Sequence, residues 1–434
     1  MSQQHAQKLL DFIDNSPSPW HAAMSTAMAL EKKCFQRLDE RDAWKLAAGG
    51  RYYVVRDGSS IIGFIIGDGD PIKHGFRIIG AHTDSPGLRV KPNAAYTDGL
   101  MVRLGVEVYG GPILATFTDR DLGLAGRIVV KTGPAPTDID TQLIHFDKPL
   151  VRIPNLAIHL NRDVNEKGLK LDRQEELPMM LSVLQEDLPA QQQFRAIIAN
   201  KMDIEADAIL SWELHVFDTQ PGCFFGPDDQ FIANGQLDNL ASCHAGLCAL
   251  LDEAVLDPKT TNLIAYFDHE EVGSQSSKGA GGRFLPDILE RISIALNLDR
   301  ESQKRANANS FLLSADMAHA YHPNYKKFYD GEHKVVINSG PVIKINSNQR
   351  YTSESVSEAL FARLCEQAEV PYQKYVHRTN LPCGSTIGPQ IAAQLGIRSV
   401  DVGNPLWSMH SARESAGTLD HHYMIRVMTG FFAN

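Results

Sequence analysis

The sequence has no uninterrupted apolar run of the roughly 18 residues that a membrane-spanning helix requires. Its opening stretch, MSQQHAQKLLDFIDNSPSPWHAAM, also lacks the basic segment followed by an apolar core that marks a secretory signal. These absences lead to the expectation of a soluble, cytoplasmic protein. The six cysteines, Cys34, Cys223, Cys243, Cys248, Cys365 and Cys383, form no C-x-x-C pair and no regular framework. Reduced thiols packed in a large core are therefore expected, rather than a disulfide scaffold. No GxxxxGK[ST] stretch cradles a phosphate, no Rossmann-type glycine pattern surrounds Gly110 and Gly111, and no G-x-S-x-G marks a serine hydrolase. Positive charge is in deficit: 42 Lys and Arg face 52 Asp and Glu, for a net charge of -10. That balance excludes a broad basic face for nucleic acid or an anionic membrane, while saying nothing about small substrates.

With 434 residues, 43% of them apolar, the chain can bury a large core, and its length suggests two or three domains. Residues 1–87 and 233–434 alternate helical and strand-like segments. Helical AQKLLDFIDN and HAAMSTAMALEKKCF precede strands RYYVVR, SSIIGFIIG and FRIIGAH. Later, CHAGLCALLDEAV, RFLPDILERISIAL, SESVSEALFARLCEQAEV and PQIAAQLGI read as helices around strands NLIAYF, SFLLSAD and RSVDV. This alternation predicts an α/β fold, a mostly parallel or mixed sheet flanked by helices. Between residues 88 and 232 the texture changes to short β-type runs separated by Gly, Pro and Asp: MVRLGVEVYGG, GRIVVKTG, LVRIPNLAIHL and AILSWELHVFD. The expectation is an inserted strand-rich domain that splits the first one.

The chemistry-bearing residues recur where apolar strands end. NLIAYF runs into DHEEVGS, placing Glu270 and Glu271 after a buried strand; a solvated acidic turn is the plainer alternative. FRIIGAHTD places His82 and Asp84 after another strand, where a carboxylate can orient a ligating imidazole, although a structural histidine fits equally. NGQLDNLAS sets Asp238 at a helix entry, where it also reads as an N-cap. SFLLSADMAHAYH ends in Asp316, with His319 and His322 beyond, and RSVDVGNPLWSMHS leads to His410. Loops at the carboxyl ends of strands in open α/β sheets converge on ligands. A mixed imidazole and carboxylate set without sulfur suits zinc, and also manganese or cobalt. The excess of carboxylates favours two metals sharing a bridging aspartate. Successive side chains of an extended segment point oppositely, so one glutamate of the doublet can bind metal while its neighbour acts as general base.

SPSPWHA, AHTDSPGLRVKP, YGGPILATFTDRDLGLAGR, IPNLAIHLNR, GQLDNLAS, DHEEVGS, SADMAHAYHPNY, GPVIKINSNQRY, PCGSTIGP and SMHSARE occur in this order along nearly the whole chain. Together they resemble the M18 metallopeptidases, the aspartyl aminopeptidases. The resemblance implies a mixed-sheet α/β/α zinc-peptidase domain interrupted by a strand-rich dimerisation domain. It implies two Zn2+ per subunit, one held by His82 and Asp316, the other by Glu271 and His410, with Asp238 bridging. Glu270 would be the catalytic base and Asp84 the carboxylate that orients His82. The implied reaction removes an N-terminal residue, preferably Asp or Glu, from a peptide. Lys344 in GPVIKIN would meet the acidic side chain, and His319 would line the same site. His159 would pass into the active site of a neighbouring subunit, in a homodimer that builds a homododecamer.

Two departures stand out: His269 in DHEE occupies a position where some relatives have asparagine, and Asn380 and Leu381 sit in an otherwise matching loop. Neither removes a ligand, but both touch pocket polarity. Two other function classes stay open. One is a co-catalytic zinc aminopeptidase of neutral preference, or a deacylase; the other is a non-catalytic scaffold that retains metals for structure.

Overall fold

The computed structural model describes residues 1–184, 188–256 and 258–433. It contains two compact units: Met1–Asp84 with Gly222–Met409 and Glu414–Asn434, and Ser85–Pro221 with His410–Arg413. Residues 222–232 therefore pack in the first unit, and His410 belongs to the second.

A nine-stranded mixed sheet forms the first unit's spine. Its strands lie in the order Gln36–Arg37, Arg51–Arg56, Ser60–Ile65, Thr261–Phe267, Phe76–His82, Phe311–Ala315, Arg398–Gly403, Val342–Ile345 and Gln373–Val376. The four central strands run parallel, with Phe267 beside His82 and Ser314 beside Gly80. They are buried on both faces, so they appear in sequence as continuous apolar runs. Side chains alternate nonetheless. Ile79, Ala81, Ile264, Tyr266 and Leu313 pack with Leu247, Phe361 and Val427 from helices Leu237–Leu250, Ser355–Gln367 and Thr418–Ala433. Phe76, Ile78, Leu263, Ala265 and Leu312 pack on the opposite face with Ile288 and Ile391 of helices Phe284–Ala295 and Ile387–Leu395. The expected α/β/α layering with a mixed sheet is present.

Beside this core lies a five-stranded sheet, ordered Cys223–Phe225, Phe231–Asn234, Glu414–Gly417, Pro405–Trp407 and Ala318–His319. Helices Leu237–Leu250 and Thr418–Ala433 also meet through a buried histidine pair, His244 Nδ1 and His421 Nε2, 2.8 Å apart. No disulfide links the cysteines among the described residues. None of the described helices is long and apolar enough to cross a membrane.

The second unit is a six-stranded antiparallel sheet in the order Ile139–His145, Leu122–Lys131, Ile209–Asp218, Gly87–Asp98, Met101–Tyr109 and Met179–Val183. Helix Ala190–Met202 packs Phe194 and Ile198 into its core against Leu104, Leu124 and Leu214. Two local expectations are corrected here. LVRIPNLAIHL is not a strand: only Val151, Arg152 and Ile153 make isolated bridges, Pro154 lacks a ladder donor, and the segment ends in a turn carrying the exposed His159. The strand-rich insert also carries a helix, Ala190–Met202, that its short β-type runs did not indicate.

Candidate metal centre

The parallel strands deliver their chemistry at one edge. His82 is the last residue of its strand, Asp316 directly follows Phe311–Ala315, and Glu270 and Glu271 follow Thr261–Phe267 by two residues. Asp316 is pinned by its own N–H, which donates to Val402 O at 2.9 Å. The neighbouring Gly403 is required by space, since a Cβ there would lie 1.8 Å from Asp316 O. Asp238 arrives from the first turn of helix Leu237–Leu250. Its backbone there is non-helical, at φ -83 and ψ 103. The Asp238 N–H donates to Glu414 Oε2 at 3.0 Å, and Asn239 Nδ2 donates to Ala315 O at 2.8 Å, tying this turn to the strand that carries Asp316.

These segments bring His82, Asp238 and Asp316 together, all buried, with one ligand atom from each within 4.8 Å of the others. His82 Nε2 stands 3.5 Å from Asp238 Oδ1 and 3.7 Å from Asp316 Oδ1. Both separations exceed a normal hydrogen bond. They approach the roughly 3.3–3.5 Å between ligand atoms that share one tetrahedral zinc. His82, Glu270 and Glu271 form a second such group. Carboxylates crowding around a single imidazole, nearly removed from water, call for a cation, and the donor set is that of zinc.

The glutamate doublet departs from the extended geometry expected of it. Glu270–Val272 form a single 3-10 turn, entered through His269 at φ 66. Both carboxylates therefore turn towards His82 instead of pointing apart. Asp84, fully buried, secures that turn: Glu270 N–H donates to its Oδ1 and Glu271 N–H to its Oδ2, each at 3.1 Å. The nearest oxygen to His82 Nδ1 is the Asp84 carbonyl at 3.0 Å, with the carboxylate at 3.5 Å.

Electrostatics follow from this crowding. Burial alone would lower the His82 pKa, but Asp238, Asp316 and Asp84 stabilise the imidazolium and carry it well above its ordinary value. Burial pushes Glu270 up to about 8, with Asp316, Asp84 and Asp238 adding to the rise against the pull of His82. Burial brings His319 down to about 4, helped by the charges of Lys344 and His377.

Lys344 is only 2% exposed; its Nζ donates to Met317 O at 3.1 Å, lies 3.3 Å from Asp316 Oδ2 and sits 5.1 Å from the Tyr351 ring centre. His410, in the second unit, accepts from Ile113 N–H at 2.9 Å through its carbonyl, and its Nδ1 lies 3.1 Å from Gly111 O. His159 is exposed, flanked by exposed Leu156, Ile158 and Leu160. Glu414, Asn239 and Gly403 had escaped the sequence reading. Glu414 and Asn239 act through a backbone group each and Gly403 through the lack of a side chain, so none carried a metal-ligand signature.

A family sequence model described as aminopeptidase I zinc metalloprotease (M18) matches residues 12–432. The chain belongs to the M18 zinc metallopeptidases. A probable M18 family aminopeptidase 2 from Ectopseudomonas mendocina (strain ymp) is 46% identical, covering 100% of this chain and 99% of its own length. A protein of the same description from Pseudomonas aeruginosa (strain UCBPP-PA14) is also 46% identical, covering 99% and 98%. Among solved structures, a chain of the Ape4 and Nbr1 complex superposes with a TM-score of 0.95 at 37% identity, covering 100% of this chain and 86% of that one. The S. cerevisiae mApe1 dodecamer superposes with a TM-score of 0.86 at 27% identity, covering 99% and 96%. As a member of the M18 family, the chain is a zinc aminopeptidase, and the cluster around His82 is its candidate metal centre.

Proposed function

We propose that this M18 enzyme removes N-terminal Asp or Glu from peptides at a two-zinc site. The observation that carries the reading is the convergence of His82, Asp238, Asp316 and the Glu270–Glu271 turn at one sheet edge, with a buried lysine ammonium beside them. On this reading His82 and Asp316 would hold one zinc, and Asp238 would be shared with the second. Glu271 and His410 are assigned to the second zinc on family grounds alone. Manganese or cobalt, which accept similar donors, are expected substitutes.

Zinc, when bound, supplies Lewis acidity towards the scissile carbonyl and makes water a better nucleophile. The rest falls to the chain. Glu270, held by its N–H to Asp84, takes a proton from the attacking water and returns it to the leaving amine. Asp84 does not touch the substrate; it fixes the turn and, through its carbonyl, the His82 ring. Lys344 meets the substrate's acidic side chain, and His319, kept neutral by burial, lines the same pocket without adding charge. The exposed apolar residues around His159 suit a subunit contact, consistent with a homodimer that passes this histidine to its neighbour and assembles into a homododecamer. The reading includes a cytoplasmic location.

One observation favours a second reading. Lys344 is already engaged with Met317 O and Asp316, as a purely structural lysine would be, leaving an aminopeptidase of neutral preference or a deacylase. The test is hydrolysis of matched peptides beginning with Asp, Glu, Leu or Lys by metal-stripped protein, with and without zinc, manganese or cobalt. Metal-dependent release of Asp and Glu supports the first reading, and release of Leu alone supports the second. Inactivity with every metal would leave the scaffold.

A further inference from the structure

Strands Val342–Ile345 and Gln373–Val376 run parallel, with Lys344 beside Tyr375 and Ile345 beside Val376. The chain beyond each strand lines a cavity of about 290 Å3, whose walls include Ile345, Asn348, Arg350, His377, Arg378 and Cys383. No aspartate or glutamate lines it. In a chain with an excess of acidic residues, that is an unusual setting for two arginines. Among the described residues, neither the Arg350 nor the Arg378 guanidinium has a hydrogen-bond or ion-pair partner. Arg378 also borders an adjoining recess of about 390 Å3 that contains Asp330, but that carboxylate is taken by His333, at 2.8 Å, and by the Glu332 and His333 N–H groups.

The cavity shares walls with the pocket assigned to the first substrate residue. Cys383 packs against the buried cluster that includes Tyr351, whose ring packs against Lys344. The His377 ring centre lies 6.2 Å from that of His319, and its Nδ1 is 2.7 Å from Tyr375 Oη. A guanidinium presents a planar fork matched to a carboxylate.

We propose that Arg350 and Arg378 form an anion subsite that receives a second carboxylate of the same peptide, beyond the residue held by Lys344. The proposal rests on the acidic-aminopeptidase reading and extends it to peptides with two neighbouring negative charges. The second carboxylate has two possible sources, the side chain of the next residue or the free terminus of a dipeptide.

Three peptides separate the sources: Asp-Glu-amide, Asp-Gln-amide and Asp-Gln with a free carboxyl terminus. For zinc-loaded enzyme, a KM about tenfold lower for the first or third than for the second is expected, and it names the source. In Arg350→Gln, Arg378→Gln double-variant protein this ratio is expected to fall to about one, while Arg363→Gln, an exposed helix position paired with Glu366, retains it. Equal KM values for all three peptides in the wild type, or an unchanged ratio in the double variant, would overturn the subsite and leave the aminopeptidase reading intact. Calorimetric binding of the same peptides to Glu270→Gln protein reads the subsite without turnover. If the enzyme cleaves none of them, tighter binding of either doubly charged peptide still supports the subsite, and equal binding rejects it.

Discussion

Lys344 Nζ stands 3.3 Å from Asp316 Oδ2, so the lysine proposed to read the substrate and a proposed metal ligand share an electrostatic environment. Removing the lysine should therefore change selectivity before it changes chemistry. In Lys344→Met, the preference for Asp over Leu at the peptide N-terminus, measured as a ratio of kcat/KM, is expected to fall by about 10- to 100-fold, the worth of one buried charge-assisted hydrogen bond. An unchanged ratio would assign Lys344 a structural role.

Glu270→Gln keeps the size and the backbone N–H that Asp84 accepts, but removes the proposed proton acceptor. Turnover is expected to fall by about 10²- to 10⁴-fold with bound metal, measured by elemental analysis, nearly unchanged. Retained activity would move the base elsewhere.

Asp84→Asn tests the turn itself. An amide offers one oxygen where two N–H groups now find two, leaving one donor facing an NH2 group. A loss of about 1–3 kcal/mol in stability is expected, with weakened metal retention. Denaturant melts alongside metal titration would check both, and a protein as stable and as well loaded as the wild type would contradict this role.

Gly403→Ala places a methyl group against the Asp316 carbonyl. The strand must shift to relieve it, so both a lower Tm and a lower kcat/KM are expected. Normal kinetics in a destabilised protein would show that Asp316 can stay in place while the strand yields.

The His244–His421 pair predicts acid sensitivity remote from the metal centre. Burial lowers His244 to about 3, with His5 and Lys8 adding to the shift, and takes His421 well below its ordinary value, with His244 and His5 adding to it. The unfolded chain takes up these protons below about pH 6.5 while the folded chain does not, so stability rises with pH across that window. The expected slope is up to about 1.4 kcal/mol per pH unit for each histidine. Denaturant titrations from pH 7.5 to 5 should show a steep loss that His244→Leu flattens; parallel curves would exclude the pair.

How far the sequence could be read depended on how local the cause was. RYYVVR and FRIIGAH match their strands residue for residue because buried strands are largely continuous apolar runs, and FRIIGAH ends in the proposed ligand His82. The short strands VIKI and QKYV are four residues each, too brief for a periodic signal; they exist because Val342 and Ile343 pair with Arg398–Gly403. The glutamate doublet was visible, but its bend was not. That bend depends on Asp84, 186 residues away from Glu270, accepting both N–H groups. The segment around His159 is apolar without being a strand, which is legible only if such residues have a surface to cover.

The centre is assembled from residues 82, 238, 270, 271 and 316, distant along the chain and brought together by parallel pairing of Phe76–His82 with strands that follow much later. Parallel pairing at such separations closes large loops and makes folding slow. No fragment that stops before Asp316 can own the complete His82–Asp238–Asp316 cluster. A cation that needs all three groups therefore finds no such site on a shorter fragment, and the cluster forms only once the chain as far as Asp316 has folded.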